Sequence, residues 1–216
     1  MVDPAEAVRA VRGRGEPTRR PFTLDELRGV LEVADEEWRN IIRCGFFTAL
    51  RLGDIATLQW SQVDFDRGEI RLRTAKTGRR IVIPISTALR RHLLQYAGNP
   101  RRLSGAVHPH AFAVVSEQDG RTGTLSNQFR ALLVAAGLRA PEPHRSRGIG
   151  RSNRRTASEL TFHSLRHTHV SLLKDAGIPD AVTMALVGHE SAAMSHRYTH
   201  VGKEALSRAA ETLPEL

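Results

Sequence analysis

One stretch of the chain reads as a pair of strands, and it limits what the rest can be. Glu69–Thr74 and Arg80–Ile85 alternate or are rich in β-branched residues, and Lys76-Thr77-Gly78 between them is a tight-turn signal. This segment is expected to form a β-hairpin with Lys76 at or near its tip. Along most of the remaining chain, apolar residues recur at helical spacing. The expected fold class is α+β, mainly α-helical, with a small antiparallel hairpin or sheet at one edge.

The helical segments follow in order. Thr23-Leu-Asp-Glu26 is a capping box, in which the Thr side chain caps and the Glu reaches back. Leu24, Leu27, Val30, Leu31 and Ala34 then place a helix up to about residue 35. A second, well-buried helix runs over 38–49 with Ile41, Ile42, Phe46 and Phe47. Arg51 follows directly, before Gly53, at a helix junction that holds it rigidly while its head faces a cleft. Further helices are expected at 87–97, 124–137 (with Gly137 as C-cap), 163–176 (ended by Gly177), 179–187, 191–199 and 203–213. Ala111–Val115 is read as a short strand. Residues 1–20 read as a linker or tail, because Pro4, Gly13, Gly15 and Pro17 break any helix. Residues 138–160 form a long loop rich in Pro, Gly, Ser and Arg.

Composition narrows the partners. Lys and Arg total 32 against 23 Asp and Glu, a net charge of +9, which favours a polyanion. All the basic residues are Arg except Lys76, Lys174 and Lys203, and the planar guanidinium fork suits phosphate. No apolar run approaches a membrane span, and the first residues lack the apolar region of a secretory signal. The single cysteine, Cys44, excludes an intrachain disulfide and fits a reducing, cytoplasmic setting.

The residues suited to chemistry concentrate in 161–200. His163 and Arg166 are three apart, which puts both heads on one helix face. A near-neutral imidazole beside a phosphate-binding Arg is a natural proton shuttle. Two arginines such as Arg51 and Arg166 can neutralise a five-coordinate phosphoryl transition state without a metal. Tyr198 lies in the polar stretch His196-Arg-Tyr-Thr-His200, so its hydroxyl is expected to be accessible; nearby cations help ionise a phenol. Tyr96, the other tyrosine, ends an amphipathic helix and reads as packing. Taken singly, each of these residues has a plainer reading: a surface or ion-paired Arg, a His at a helix N-terminus, a structural Tyr. His163 and His167 have the spacing of a zinc pair, but position 164 is Ser and no downstream carboxylate is well placed, so no metal is expected.

In order along the chain, TALRLGDIATLQW, TAKTGRRIVIPI, HSLRHTHVSLLKDAG, LVGHES and HRYTHV resemble the catalytic domain of the tyrosine recombinases, the phage-integrase family. Each piece is weak alone; five in this order over roughly residues 21–203 are a strong signal. The resemblance implies a tyrosine-recombinase catalytic fold and site-specific DNA recombination, integration or excision, through a 3′-phosphotyrosyl intermediate. Tyr198 would be the nucleophile. Arg51 and Arg166 would grip the phosphate oxygens, and Lys76 would protonate the leaving 5′-oxygen. His163 would be base or shuttle, His189 would hydrogen-bond the phosphate, and Asp54 would orient the set from behind. No cofactor would be needed.

The resemblance also implies double-stranded DNA as partner and a tetrameric synapse of protomers on it, from a protein that is monomeric without DNA. Candidate DNA contacts are Arg79 and Arg80 beside the turn, and Arg145, Arg147, Arg151, Arg154 and Arg155 in the long loop, against the plainer reading of a solvated charge run. Members of this family usually carry an N-terminal helical domain, so residues 1–20 would lead from it and 21–216 would be the catalytic domain. Three alternatives stand beside this one: a DNA-binding accessory module without catalysis, a type IB topoisomerase relaxing one strand, and a zinc hydrolase built on the histidines.

Overall fold

A computed structural model describes residues 19–97, 104–141, 159–187 and 203–216. Helix α1 (Leu24–Val33) starts at the expected capping box. The Thr23 side chain accepts from the Glu26 amide, and the Glu26 carboxylate accepts from the Thr23 amide at 2.9 Å. Helix α2 (Glu36–Thr48) begins two residues earlier than its apolar pattern suggested, because Asp35 caps it through the Trp38 amide at 2.7 Å. Helix α3 (Leu52–Ala56) follows after Ala49, which takes a left-handed conformation with φ 52° and turns the chain sharply.

A 3₁₀ turn (Trp60–Gln62) leads into a three-stranded antiparallel sheet in the order β1 (Val63–Asp64), β2 (Glu69–Arg73), β3 (Arg80–Pro84). The hairpin is as expected, with Ile70 opposite Ile83 and Arg73 opposite Arg80. The short β1 carries too few residues to show a period. Alternation sends Ile70, Leu72 and Ile83 into the core and leaves Arg71, Arg73 and Val82 outside.

Helices α4 (Thr87–Ala97), α5 (Pro109–Glu117), α6 (Gly123–Ala135), α7 (Phe162–Asp175), α8 (Asp180–Val187) and α9 (Lys203–Glu211) complete the described chain. The strand expected at Ala111–Val115 is instead part of α5. Pro109 starts that helix in its first turn, where a missing N–H costs nothing, and Ala111 and Val115, four apart, both turn inward. Its β-branched pair gave a strand signal that helical packing overrides. Gly137 and Gly177 take left-handed φ values of 72° and 73° just beyond α6 and α7, as C-caps should. The expected tail before residue 19, most of the long arginine loop, and the helix at 191–199 lie outside the described residues.

One apolar cluster runs from Phe22 to Leu213, and α2 lies at its centre against α4 and α7. The α2–α7 crossing is close because residue 45 is Gly: a Cβ there would stand 2.8 Å from Leu165 Cδ1 and Phe162 Cζ. Phe162, Phe129 and Trp38 stack around this crossing, with ring centroids 5.2 Å and 5.9 Å apart along the chain of contacts. Helix α9 lies on β3 and α8, burying Ala209 and Ala210. Its Glu211 accepts from the Thr87 amide at 2.9 Å and so caps α4. Among the described residues no helix is long and apolar enough to cross a membrane.

Candidate active site

The junction between α2 and α3 gathers the site. Arg51 is the N-cap residue of α3, in extended backbone at φ −74°, and is half-buried. The same short helix carries Asp54, whose side chain is only 4% exposed. Arg166 arrives from α7, one turn into the helix, directed here by the close crossing at Gly45.

Arg166 is 5% exposed, an unusual setting for a guanidinium. Nη1 donates to the Ala49 carbonyl at 2.9 Å, and Nη2 donates to the Val187 carbonyl. The left-handed turn at Ala49 therefore presents its carbonyl to Arg166, and the arginine ties α7 to the end of α8, immediately before Gly188 and His189. Burial pushes its pKa down to about 10; the nearby Arg51 charge pushes the same way, and Asp54 opposes. It remains cationic at neutral pH. Nε of Arg166 is buried with no hydrogen-bond partner among the described residues, as is Oδ2 of Asp54. An incoming phosphate oxygen is the kind of acceptor that the Nε–H lacks.

Lys76 stands in solvent on the turn between β2 and β3. That turn is fastened to the same junction: Asp54 Oδ1 accepts from the Ala75 amide at 2.7 Å. Asp54 thus joins three things, the helix that begins at Arg51, the electrostatic surroundings of Arg166, and the loop that carries Lys76. Arg79 and Arg80 are exposed at the end of the turn and the start of β3. His163 lies on α7, half-buried, with its ring 5.1 Å from that of His167. His167 is largely exposed; partial desolvation of its ring, with the Arg19 and Arg166 charges, lowers its pKa.

The structure therefore brings Arg51, Asp54, Arg166 and the Lys76 turn to one junction and places His163 on the helix that supplies Arg166. His189, Tyr198, Arg145, Arg147, Arg151, Arg154 and Arg155 lie outside the described residues. Tyr96 is half-buried with its ring 6.0 Å from His108, in keeping with packing; burial and the acidic residues of α2 raise its pKa.

Two features were not picked out from the sequence. His169 is 1% exposed and donates from Nδ1 to the Phe46 carbonyl at 2.8 Å, bracing α7 on α2 one turn beyond Arg166. Its spacing of three from Arg166 was the available signal. The hydroxyls of Thr74 and Thr77 share a hydrogen bond of 2.7 Å across the Lys76 turn. Here the signal was a Thr at either side of Ala75-Lys76.

The phage integrase family matches residues 21–205, and the chain belongs to that family. It is 25% identical over 193 residues to the integrase of Salmonella phage P22, covering 88% of this chain and 46% of that protein. It superposes on an integrase from mycobacterium phage Brujita with a TM-score of 0.65 at 20% identity, covering 93% of this chain and 60% of that one. A lambda integrase dimer bound to a COC′ core site gives a TM-score of 0.56 at 21% identity, covering 94% of this chain and 66% of the other. The fold is accordingly that of tyrosine-recombinase catalytic domains. The chain spans about half the length of the curated relatives it matches, 46% and 54% for two of them.

Proposed function

We propose that this chain carries the catalytic domain of a site-specific recombinase that breaks and rejoins double-stranded DNA through Tyr198. Residues 21–216 form that domain. The observation that carries the reading is the α2–α3 junction. Two guanidiniums lie within electrostatic reach of one another there, one of them buried with an unpaired Nε–H, and a lysine-bearing turn is tied to the same point. Fixed positive charge that costs no reorganisation during reaction is what a phosphoryl transition state needs.

The roles are those that the resemblance to the tyrosine recombinases implies for these residues. Tyr198 attacks the scissile phosphorus and passes its phenolic proton to His163. Arg51, Arg166 and His189 bind the non-bridging oxygens. The bond from phosphorus to O5′ breaks, and O5′ takes a proton from Lys76. A 5′-hydroxyl from another strand reverses the step, so bond energy is conserved and no nucleotide or metal enters. Arg79 and Arg80, with the arginines of the 138–160 loop, contact the DNA backbone. The lambda integrase structures in complex with a core site and, as a tetramer, with a Holliday junction support DNA as partner and assembly of protomers upon it.

The test is covalent trapping on nicked duplexes pooled from genomic junction sequences. The expected result is an adduct that survives SDS and is absent for Tyr198→Phe. Lack of any adduct across the whole pool would favour a binding module instead. Light scattering without DNA should give a monomer.

A further inference from the structure

We infer that Thr77, paired with Thr74, is a positioning residue that holds Lys76 in line for proton delivery. The inference rests on Lys76 being the group that protonates O5′.

The hairpin turn could have been a loose arm that orders only against DNA. Its bonding says otherwise. The Thr74 amide donates to the Arg79 carbonyl at 2.9 Å, and the Gly78 amide donates to the Thr74 carbonyl at 2.9 Å. Gly78 sits at φ 66°, a left-handed conformation that lets the chain close so tightly. Ala75 is held by Asp54, as described above. Lys76 is thus flanked on one side by a residue fastened to α3. On its other side is Thr77, whose side chain is fastened to Thr74.

The Thr74–Thr77 pair is the part that sequence and exposure do not require. Thr77 is exposed, so water would serve its hydroxyl as well as any protein group. Thr74 is 6% exposed and forms the buried floor of the turn. Their 2.7 Å bond spans Ala75 and Lys76 and ties down Thr77, which neither the Asp54 contact nor the Gly78 amide holds. A turn ordered during folding spends no entropy at the moment of reaction. The motion left to Lys76 is that of its own side chain, whose ammonium must reach O5′ as the phosphorus–O5′ bond breaks.

Thr77→Val keeps the β-branched shape and removes the hydroxyl; Thr77→Ser restores it. Single-turnover cleavage is measured on two nicked duplexes of the junction sequence, one with the normal O5′ and one with sulfur at that bridging position. A thiolate leaves without being protonated, so the second substrate does not need the lysine. Thr77→Val should cleave the oxygen substrate roughly ten- to a hundredfold more slowly than wild type. It should cleave the sulfur substrate at the wild-type rate, and Thr77→Ser should recover most of the loss. Equal rates for Thr77→Val and wild type on oxygen, or equal slowing on both substrates, overturns the inference.

If Lys76→Ala itself is not slowed on oxygen, the role of Lys76 falls first, which is a separate outcome. Amide exchange supplies a readout without substrate. Ala75 and Gly78 should exchange about tenfold faster in Thr77→Val, by loss of local order. Unchanged protection there also overturns the inference.

Discussion

Arg166 and Lys76 carry the same charge in opposite settings. Arg166 is 5% exposed, with two backbone carbonyls on its guanidinium, and is held by a close helix crossing over Gly45. Lys76 stands in solvent at the sheet edge, and only its turn is fixed. On the roles proposed for them, the difference separates two tasks. A group that stabilises charge gains from burial and rigidity, because its interaction strengthens as water is excluded. A group that gives up a proton must travel the last distance to its acceptor, so its side chain stays outside while its backbone is held.

The sharpest way to break this comparison is to remove Arg166. Arg166→Ala leaves the Ala49 and Val187 carbonyls without their donor and should lower stability by roughly 2–4 kcal/mol. Guanidinium unfolding checks this, and a loss below about 1 kcal/mol would show that the arginine braces nothing. Gly45→Ala probes the same region from below. The added methyl meets Leu165 and Phe162 at 2.8 Å, so a loss of about 1–3 kcal/mol is expected despite the better helix propensity of Ala.

The buried histidines sharpen it further. His169 and His108 are bonded to the Phe46 and Ile55 carbonyls, and burial pushes both pKa values down to about 4. A carbonyl only accepts, so each Nδ1 carries a proton, and burial keeps each ring neutral at pH 7. The unfolded chain binds protons near pH 6.5 and the folded chain does not until about 4. Stability is therefore complete above about pH 6.5 and falls as pH drops toward 4, by roughly 1–2 kcal/mol per histidine between pH 7 and 5. Urea midpoints across that range measure it; a flat profile would mean the rings are not buried neutral. The smallest effect belongs to the exposed partner of the comparison. Lys76→Ala should change stability by less than about 0.5 kcal/mol while removing cleavage of an oxygen substrate, and a large destabilisation would erase the distinction.

Much of this architecture was legible because its signals are local. The Thr23–Glu26 capping box, the hairpin registered about Lys76, and the left-handed glycines at 137 and 177 each act within a few residues. Arg51 at a junction was legible for the same reason. What sequence could not show lies in contacts between distant positions. That Asp54 would grip the Ala75 amide, that Ala49 would turn its carbonyl to Arg166, and that Arg166 would be buried depend on how α2, α3 and α7 cross. Helix α5 was misread because Ala111–Val115 is short and apolar, and periodicity alone does not separate a strand from a buried helix at that length. Strand β1 was missed because two residues cannot display a period.

The entry of the chain into the domain has a mechanical meaning. The Phe22 amide donates to Thr168 Oγ1 at 2.8 Å, and the Arg20 amide donates to the Glu159 carbonyl at 3.1 Å. Thr168 lies two residues from Arg166 on the same helix. A load applied at Arg20 to Phe22 is therefore shared between the backbone entering α1 and these two hydrogen bonds to Glu159 and α7. Tension on the start of the described chain would reach the buried arginine through the Phe22–Thr168 hydrogen bond and half a helical turn.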